Sequence, residues 1–249
     1  MNPVTELSAI DFAALADTGW PTLERAGVAG WQVRTAGGVT KRANSAWSAG
    51  CAADASPDAL AAVERAYRER ALPPIFQLAG AEAAVRAALV GRGYRLVDET
   101  LVLAASLASL ADQPRDIDIA ITRAPDDDWL GAWWAVDGRG GAAELEIARQ
   151  IVTGVPALYA SLRVDGAVAS VARLALVDTW GGLYCVATLP EFRRRGYGER
   201  VTRALLAAGA ERGVTDAWLQ VVARNDGALA LYSRLGFAEV DRYEYLVGA

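Results

Sequence analysis

Leu189-Pro190-Glu191-Phe192-Arg193-Arg194-Arg195-Gly196-Tyr197-Gly198-Glu199-Arg200 sets an arginine-rich turn with two alternate glycines between an apolar run and an alanine- and leucine-rich stretch. Glycines at alternate positions let successive backbone N–H groups converge without a Cβ in the way. The helix that follows aims its positive end at whatever anion sits there. The spacing predicts a cradle for a pyrophosphate. A Rossmann turn also lies between a strand and a helix, but it fails here on detail. Val201 stands where its third glycine belongs, Asp216 precedes the next strand instead of closing it, and the segment Leu189 to Arg195 is long for that turn.

Outward from this loop the patterning alternates strands and helices. The second half reads as a strand at Ile117 to Thr122, helices at Asp126 to Val136 and Ala142 to Val152, and strands at Ala157 to Val164, Ala167 to Val177 and Leu183 to Thr188. After the loop come a helix from Gly198 to Arg212, a strand from Ala217 to Val222, a helix from Asp226 to Leu235 and a strand from Ala238 to Val247. The first half reads as a helix from Ser8 to Ala26, a strand at Trp31 to Thr35 and a second strand starting near Thr40. A helix capped by Ser56-Pro57 then runs to Arg70, followed by a strand at Ile75 to Leu78, a helix at Ala81 to Val90 and a long strand to Leu107. Ala111 to Asp116 breaks the periodicity and is the expected linker, giving domains 1–110 and 111–249.

A shift of 143 residues lays Ile75-Phe76-Gln77-Leu78 over Trp218-Leu219-Gln220-Val221, and Gly93-Tyr94 over Gly236-Phe237, without a gap. The same register puts Val97-Asp98 on Val240-Asp241 and Leu103 on Leu246. One register kept through strand, helix, turn and strand favours a duplicated fold. It also puts Ala53 and Ala55 under Gly196 and Gly198, Gly50 under Arg193, Glu82 under Asn225 and Leu89 under Tyr232. The first copy is expected to lack the anion cradle.

Arg193-x-x-Gly196-x-Gly198, then Leu219-Gln220-Val221, then Asn225-x-x-Ala228-x-x-Leu231-Tyr232-x-x-Leu235-Gly236-Phe237 resembles the acetyl-CoA-binding core of the GCN5-related N-acetyltransferases over Ile117 to Ala249. Trp31-x-x-Arg34-x-x-x-Gly38-x-Thr40-x-Arg42-x-Asn44-Ser45 resembles, less specifically, the amino-terminal part of some two-domain members. The resemblance implies an α/β fold of two tandem domains, each a mixed, mostly antiparallel twisted sheet flanked by helices, the first degenerate. It implies acetyl-CoA as co-substrate, with Val186, Ala187 and Thr188 pairing the pantetheine arm. Arg193, Arg194, Arg195, Gly196, Tyr197 and Gly198 would then cradle the pyrophosphate, Asn225 and Ala228 would border the coenzyme, and Tyr232 would protonate the departing thiolate. A phenol of ordinary pKa near ~10 suits that last role. Asn225 is equally suited to capping the helix that starts at Asp226.

The rest of the composition narrows the chemistry. A net charge of −5 without a basic tail argues against nucleic acid as a partner, and no apolar run reaches membrane length, which predicts a cytoplasmic protein. There is no histidine, and Cys51 and Cys185 read as buried apolar residues, so neither a metal nor a histidine-based triad is expected. Proton removal from an attacking amine falls to a carboxylate or water, and Glu144, Glu146 and Asp178 are the candidates. Asp126-Asp127-Asp128 reads as helix-capping acid, and Trp129, Trp133 and Trp134 at helical spacing read first as packing. Arg34, Arg42 and Asn44 either reach an acidic acceptor or tie down their own turn. Tyr243 and Tyr245 share a strand face. The expected function is direct acetyl transfer to a small-molecule primary amine, with a protein N-terminus as the next acceptor class and a non-catalytic acyl-CoA sensor as the rival. Monomer and homodimer stay open.

Overall fold

The computed structural model describes residues 10–49, 54–80, 82–108 and 116–248. The chain divides into two compact units. The first unit gathers the described residues of Met1–Val102, Val221–Asn225 and Glu239–Ala249, and the second those of Leu103–Gln220 and Asp226–Ala238. The expected linker lies mostly outside the described residues, as do Cys51 and Ala53.

In the first unit, α1 (Phe12–Gly19) precedes β1 (Glu24–Val28), β2 (Trp31–Thr35), β3 (Ala46–Trp47), α2 (Pro57–Arg68), β4 (Ile75–Ala79), α3 (Ala83–Gly91) and β5 (Arg95–Ser106). The helix expected to reach Ala26 stops at Gly19, because Gly19-Trp20-Pro21 cannot carry its ladder onward. Glu24–Val28 instead forms a hairpin with β2 through Ala29-Gly30, both at positive φ (48° and 82°), which suits the twist of paired strands. The strand expected near Thr40 is a turn built on Asn44. Its Oδ1 accepts from the Ala36 and Gly38 N–H groups at 2.7 and 2.9 Å, and its Nδ2 donates to the Val39 and Thr40 carbonyls at 2.6 and 2.8 Å. Asn44 therefore ties down its own turn. Arg34 does the same for the strands around it: buried, it donates to Asp17, to the Ser45 carbonyl and hydroxyl, and to Gln77 Oε1 at 2.7 Å. Arg42 lies over the Trp20 ring at 5.4 Å.

Ser56 caps α2 by accepting from the Ala59 N–H, with Pro57 in the first turn, as the sequence predicts. The core packs Trp31 edge-on against Phe76, and Phe76 against Tyr94, at 5.0 and 5.4 Å. The strand beside β4 comes from the far end of the chain: β11 (Ala238–Val247) pairs antiparallel with it from Tyr243↔Ala79 to Val247↔Ile75. Leu246 thereby joins this core, and Tyr243 and Tyr245 are buried here with their rings 5.2 Å apart. Strand order in this unit is β1-β2-β3-β4-β11-β5.

The second unit runs β6 (Ile119–Thr122), α4 (Asp127–Asp137), α5 (Ala142–Thr153), β7 (Ala157–Val164), β8 (Ala167–Val177), β9 (Trp180–Thr188), α6 (Tyr197–Ala210), β10 (Asp216–Val222) and α7 (Asp226–Arg234). Its strand order, starting from the last residues of β5, is β5-β10-β9-β8-β7-β6. Asp126 caps α4 by accepting from the Trp129 N–H at 2.7 Å. Trp129 and Trp133 are buried, and the Trp129 indole donates to the Ala160 carbonyl at 2.9 Å, so these tryptophans pack the core. At the 143-residue shift 83–91, the span of α3, falls on 226–234, the span of α7, whereas Ala46, the parallel partner of Phe76, falls on Leu189 and the partner of Leu219 is Leu183.

Candidate active site

The site grows from the way β9 leaves its neighbours. β10 runs parallel to β9 from Asp216↔Trp180 to Leu219↔Leu183, and there their ladder ends. On the other side the β8 register jumps from Arg173↔Tyr184 to Val171↔Ala187, so Cys185 and Val186 together oppose Ala172. This is a β-bulge, with Cys185 at φ 55°. A fork opens between β9 and β10, and Val186-Ala187-Thr188 line one arm of it, clear of the β10 ladder. Nothing in the sequence signals the bulge. Cys185, expected to be buried, is half-buried in it.

Beyond the fork the chain turns through a 3₁₀ segment, Pro190–Phe192. Arg194 (φ 63°) and Gly196 (φ 78°) are left-handed, and Gly196 sits at the N-cap of α6. The ladder of α6 starts with the Arg200 N–H to the Gly196 carbonyl at 3.0 Å, which leaves the N–H groups of the first turn free of helical partners. Alternating backbone hand followed by a helix N-terminus is the geometry of an anion nest. A Cβ on Gly198 would lie 3.3 Å from Thr188 Oγ1, so a side chain there would crowd the outer arm of the fork. The arginines serve the turn more than the cavity. Arg193 Nε donates to the Thr188 carbonyl at 3.1 Å, the Arg195 guanidinium lies over Phe192 at 5.9 Å, and Arg200 grips Asp116 and Asp118 at 2.7 Å. The cradle is thus chiefly backbone.

Tyr232 projects from α7 into apolar surroundings, edge-on to Phe237 at 5.9 Å. Burial alone pushes its phenol up to about 12. Two residues on, Arg234 donates through Nε and Nη2 to Glu199 at 3.2 and 3.1 Å, and Arg203 donates to the other oxygen at 3.1 Å. This clasp, which the sequence reading missed, binds the helix of Tyr232 to the first turn of α6. Ala228 is half-buried on the same helix. The exposed Asn225 belongs to the segment grouped with the first unit, and its N–H donates to the Val222 carbonyl at 2.9 Å.

Each of the three carboxylates proposed as bases has a structural role of its own. Glu144 closes a capping box: the Gly141 N–H donates to it at 2.7 Å, and hydrogen bonds from its own N–H and that of Gly141 hold its carboxyl below the usual range. Glu146 pairs with Arg149 at 3.3 Å on the surface of α5. Asp178, at φ 50°, forms the β8–β9 turn, about 17 Å of strand before the end of the ladder. The face of the fork instead carries an aromatic and cationic row in which Tyr159, Arg173 and Tyr184 stand opposite one another on β7, β8 and β9. Arg173 is fully buried, donating to the Val152 carbonyl at 2.7 Å with its guanidinium 5.5 Å from the Tyr184 ring centre.

Residues 5–246 match the family model described as "Probable histone acetyltransferase Rv0428c C-terminal". The chain belongs to that family. It is a GCN5-related N-acetyltransferase. The N-acetyltransferase YobR of Bacillus subtilis is 24% identical over 239 residues, covering 94% of this chain and 96% of its own. The ribosomal protein bS18-alanine N-acetyltransferase of Salmonella typhimurium is 38% identical over 82 residues, a third of this acetyltransferase and 55% of that enzyme. In fold, the GCN5-related N-acetyltransferase of Kribbella flavida superimposes with a TM-score of 0.69 at 20% identity, covering all of this chain and 97% of its own. Among the described residues of the acetyltransferase no helix is long and apolar enough to cross a membrane.

Proposed function

We propose that this acetyltransferase is a cytoplasmic enzyme that moves acetyl from acetyl-CoA directly to a primary amine of a small molecule. The observation that carries the reading is the nest at Arg194 to Gly198 opening onto a forked strand pair. A pyrophosphate would take the nest, and the pantetheine amides would pair with the free edge at Val186 to Thr188. In the reaction the neutral amine nitrogen bonds to the thioester carbon and the carbon–sulfur bond breaks. Tyr232 supplies a proton to the departing thiolate, and the amine proton leaves to water, since Glu144, Glu146 and Asp178 are each engaged in a cap, a surface ion pair or a turn.

The first half is read as a degenerate copy. Leu89 is buried in the core where Tyr232 stands in the second copy, and Glu82 accepts from the Ala79 N–H at 2.7 Å at the position of Asn225. One coenzyme per chain follows. A protein N-terminus as acceptor is the second reading, favoured by the likeness to an enzyme named for a ribosomal-protein alanine. Free-thiol release from acetyl-CoA with benzylamine, tyramine, spermidine and a peptide beginning with alanine decides between them. Turnover of a small amine supports the proposal and turnover of the peptide alone supports the second reading. Tight acetyl-CoA binding with no release from any of the four would make the protein a sensor.

A further inference from the structure

Gln220 is the first residue of β10 beyond the end of its ladder with β9. Its Oε1 is buried and accepts no hydrogen bond. A buried acceptor without a donor costs about as much as losing a hydrogen bond outright, so such an atom stands in need of a partner from outside. The other half of the chain shows what the same residue does when it is purely structural. Gln77, its counterpart at the 143-residue shift, accepts from the buried Arg34 at 2.7 Å. In the second unit the acceptor is built and its donor is left out.

The direction of Gln220 follows from strand geometry. Side chains two apart share a face, so Gln220 projects with Trp218. The Trp218 ring meets Tyr184 edge-on at 6.3 Å, which puts Gln220 on the face of the Tyr159, Arg173 and Tyr184 row. An acyl-CoA held by its pyrophosphate at Gly196 and Gly198 must run back along Thr188, Ala187 and Val186. The distance from Thr188 to Tyr184 is about 13 Å of strand, and the reacting end of such an arm points at the apex of the fork, where Gln220 stands.

We propose that Gln220 is the acceptor-contact residue of this acetyltransferase: its side-chain carbonyl takes one N–H of the incoming amine and aims the nitrogen lone pair at the thioester. The proposal rests on the acetyl-transfer reading given above. An amide oxygen suits this task because it accepts from a neutral amine without taking its proton, so the lone pair stays available for attack.

The test uses the full chain, comparing wild type with Gln220→Leu and Gln220→Glu, with whichever of the four amines named above is turned over fastest. Gln220→Leu raises the amine KM about tenfold, leaves the acetyl-CoA Kd by calorimetry within about twofold, and keeps or raises Tm, because an unsatisfied polar atom has been removed. Gln220→Glu keeps an oxygen at the same reach and holds the amine KM within about threefold. An unchanged amine KM in Gln220→Leu, in an enzyme that remains active, would overturn the proposal alone, with a buried water as the atom's partner. An equal loss of acetyl-CoA affinity would assign the atom to the coenzyme's own amide and overturn it as well. A drop in Tm would show a structural bond and do the same. Wild type that binds acetyl-CoA and acetylates none of the amines would overturn the acetyl-transfer reading and this inference with it.

Discussion

Tyr232→Phe removes one hydroxyl and keeps the ring that packs on Phe237 at 5.9 Å. Burial moves this phenol from 10 to about 12. At about 1.36 kcal/mol for each tenfold change in ionisation, that rise sets roughly 3 kcal/mol against the phenolate. In catalysis, the phenol stays protonated through pH 10, so it remains a proton donor over the whole working range. Losing it lowers kcat by roughly 10²- to 10⁴-fold while the acetyl-CoA Kd is unchanged. In stability, the sign follows from proton counting. An unfolded tyrosine ionises near 10 and the folded one near 12, so the folded state holds more protons between those values. Its stability is therefore complete below pH 10 and falls by roughly 3 kcal/mol at most as pH rises through 12. The variant lacks this loss, and the other buried tyrosines are common to both proteins and cancel. Urea unfolding of the two proteins at steps from pH 8 to pH 12 reads the difference directly. A difference that stays constant across that range would refute the reasoning, as would a wild-type kcat that falls along a limb below pH 10 and loses that limb in the variant.

At Gly182, a Cβ would lie 2.5 Å from the Trp218 ring, so Gly182→Ala costs about 1–3 kcal/mol, or roughly 2–4 °C of Tm for each kcal/mol in a chain of this size. Gly27→Ala meets nothing within 4 Å and is the matched control, and equal Tm values for the two variants would contradict the packing account. The Arg234–Glu199 clasp is part-exposed and worth about 1 kcal/mol or less to stability. Arg234→Ala is expected to lower kcat several-fold with little change in Tm, and Arg234→Lys to restore part of it. An Arg234→Ala enzyme with wild-type kcat would separate the clasp from Tyr232.

The second unit was largely legible because its signals are local. Asp226 opens α7 and Gly236 follows its end, β7 and β8 are apolar runs set off by the Asp165-Gly166 turn, and Asp126 caps the helix it precedes, as Ser56 does in the first unit. Where the reading went astray, partners distant in sequence decided the outcome. Glu24-Arg25-Ala26 is compatible with a helix until the hairpin with β2 claims it. The pairing of β11 with β4 joins segments more than 150 residues apart, and no local pattern encodes it. Glu144 carried a readable capping role: an acid three residues into a helix after Gly141 is a cap before it is a base. The bulge at Cys185 and the open acceptor on Gln220 depend on where two strands stop pairing, which only the assembled sheet determines.

The claim that the Arg194 to Gly198 nest holds the single coenzyme of this chain is tested most directly by calorimetric titration of acetyl-CoA into wild type and Gly198→Val, whose side chain would crowd Thr188. The account predicts one acetyl-CoA per chain and at least a tenfold weaker Kd in the variant at unchanged Tm. Two acetyl-CoA per chain, or an affinity indifferent to the valine, would contradict it.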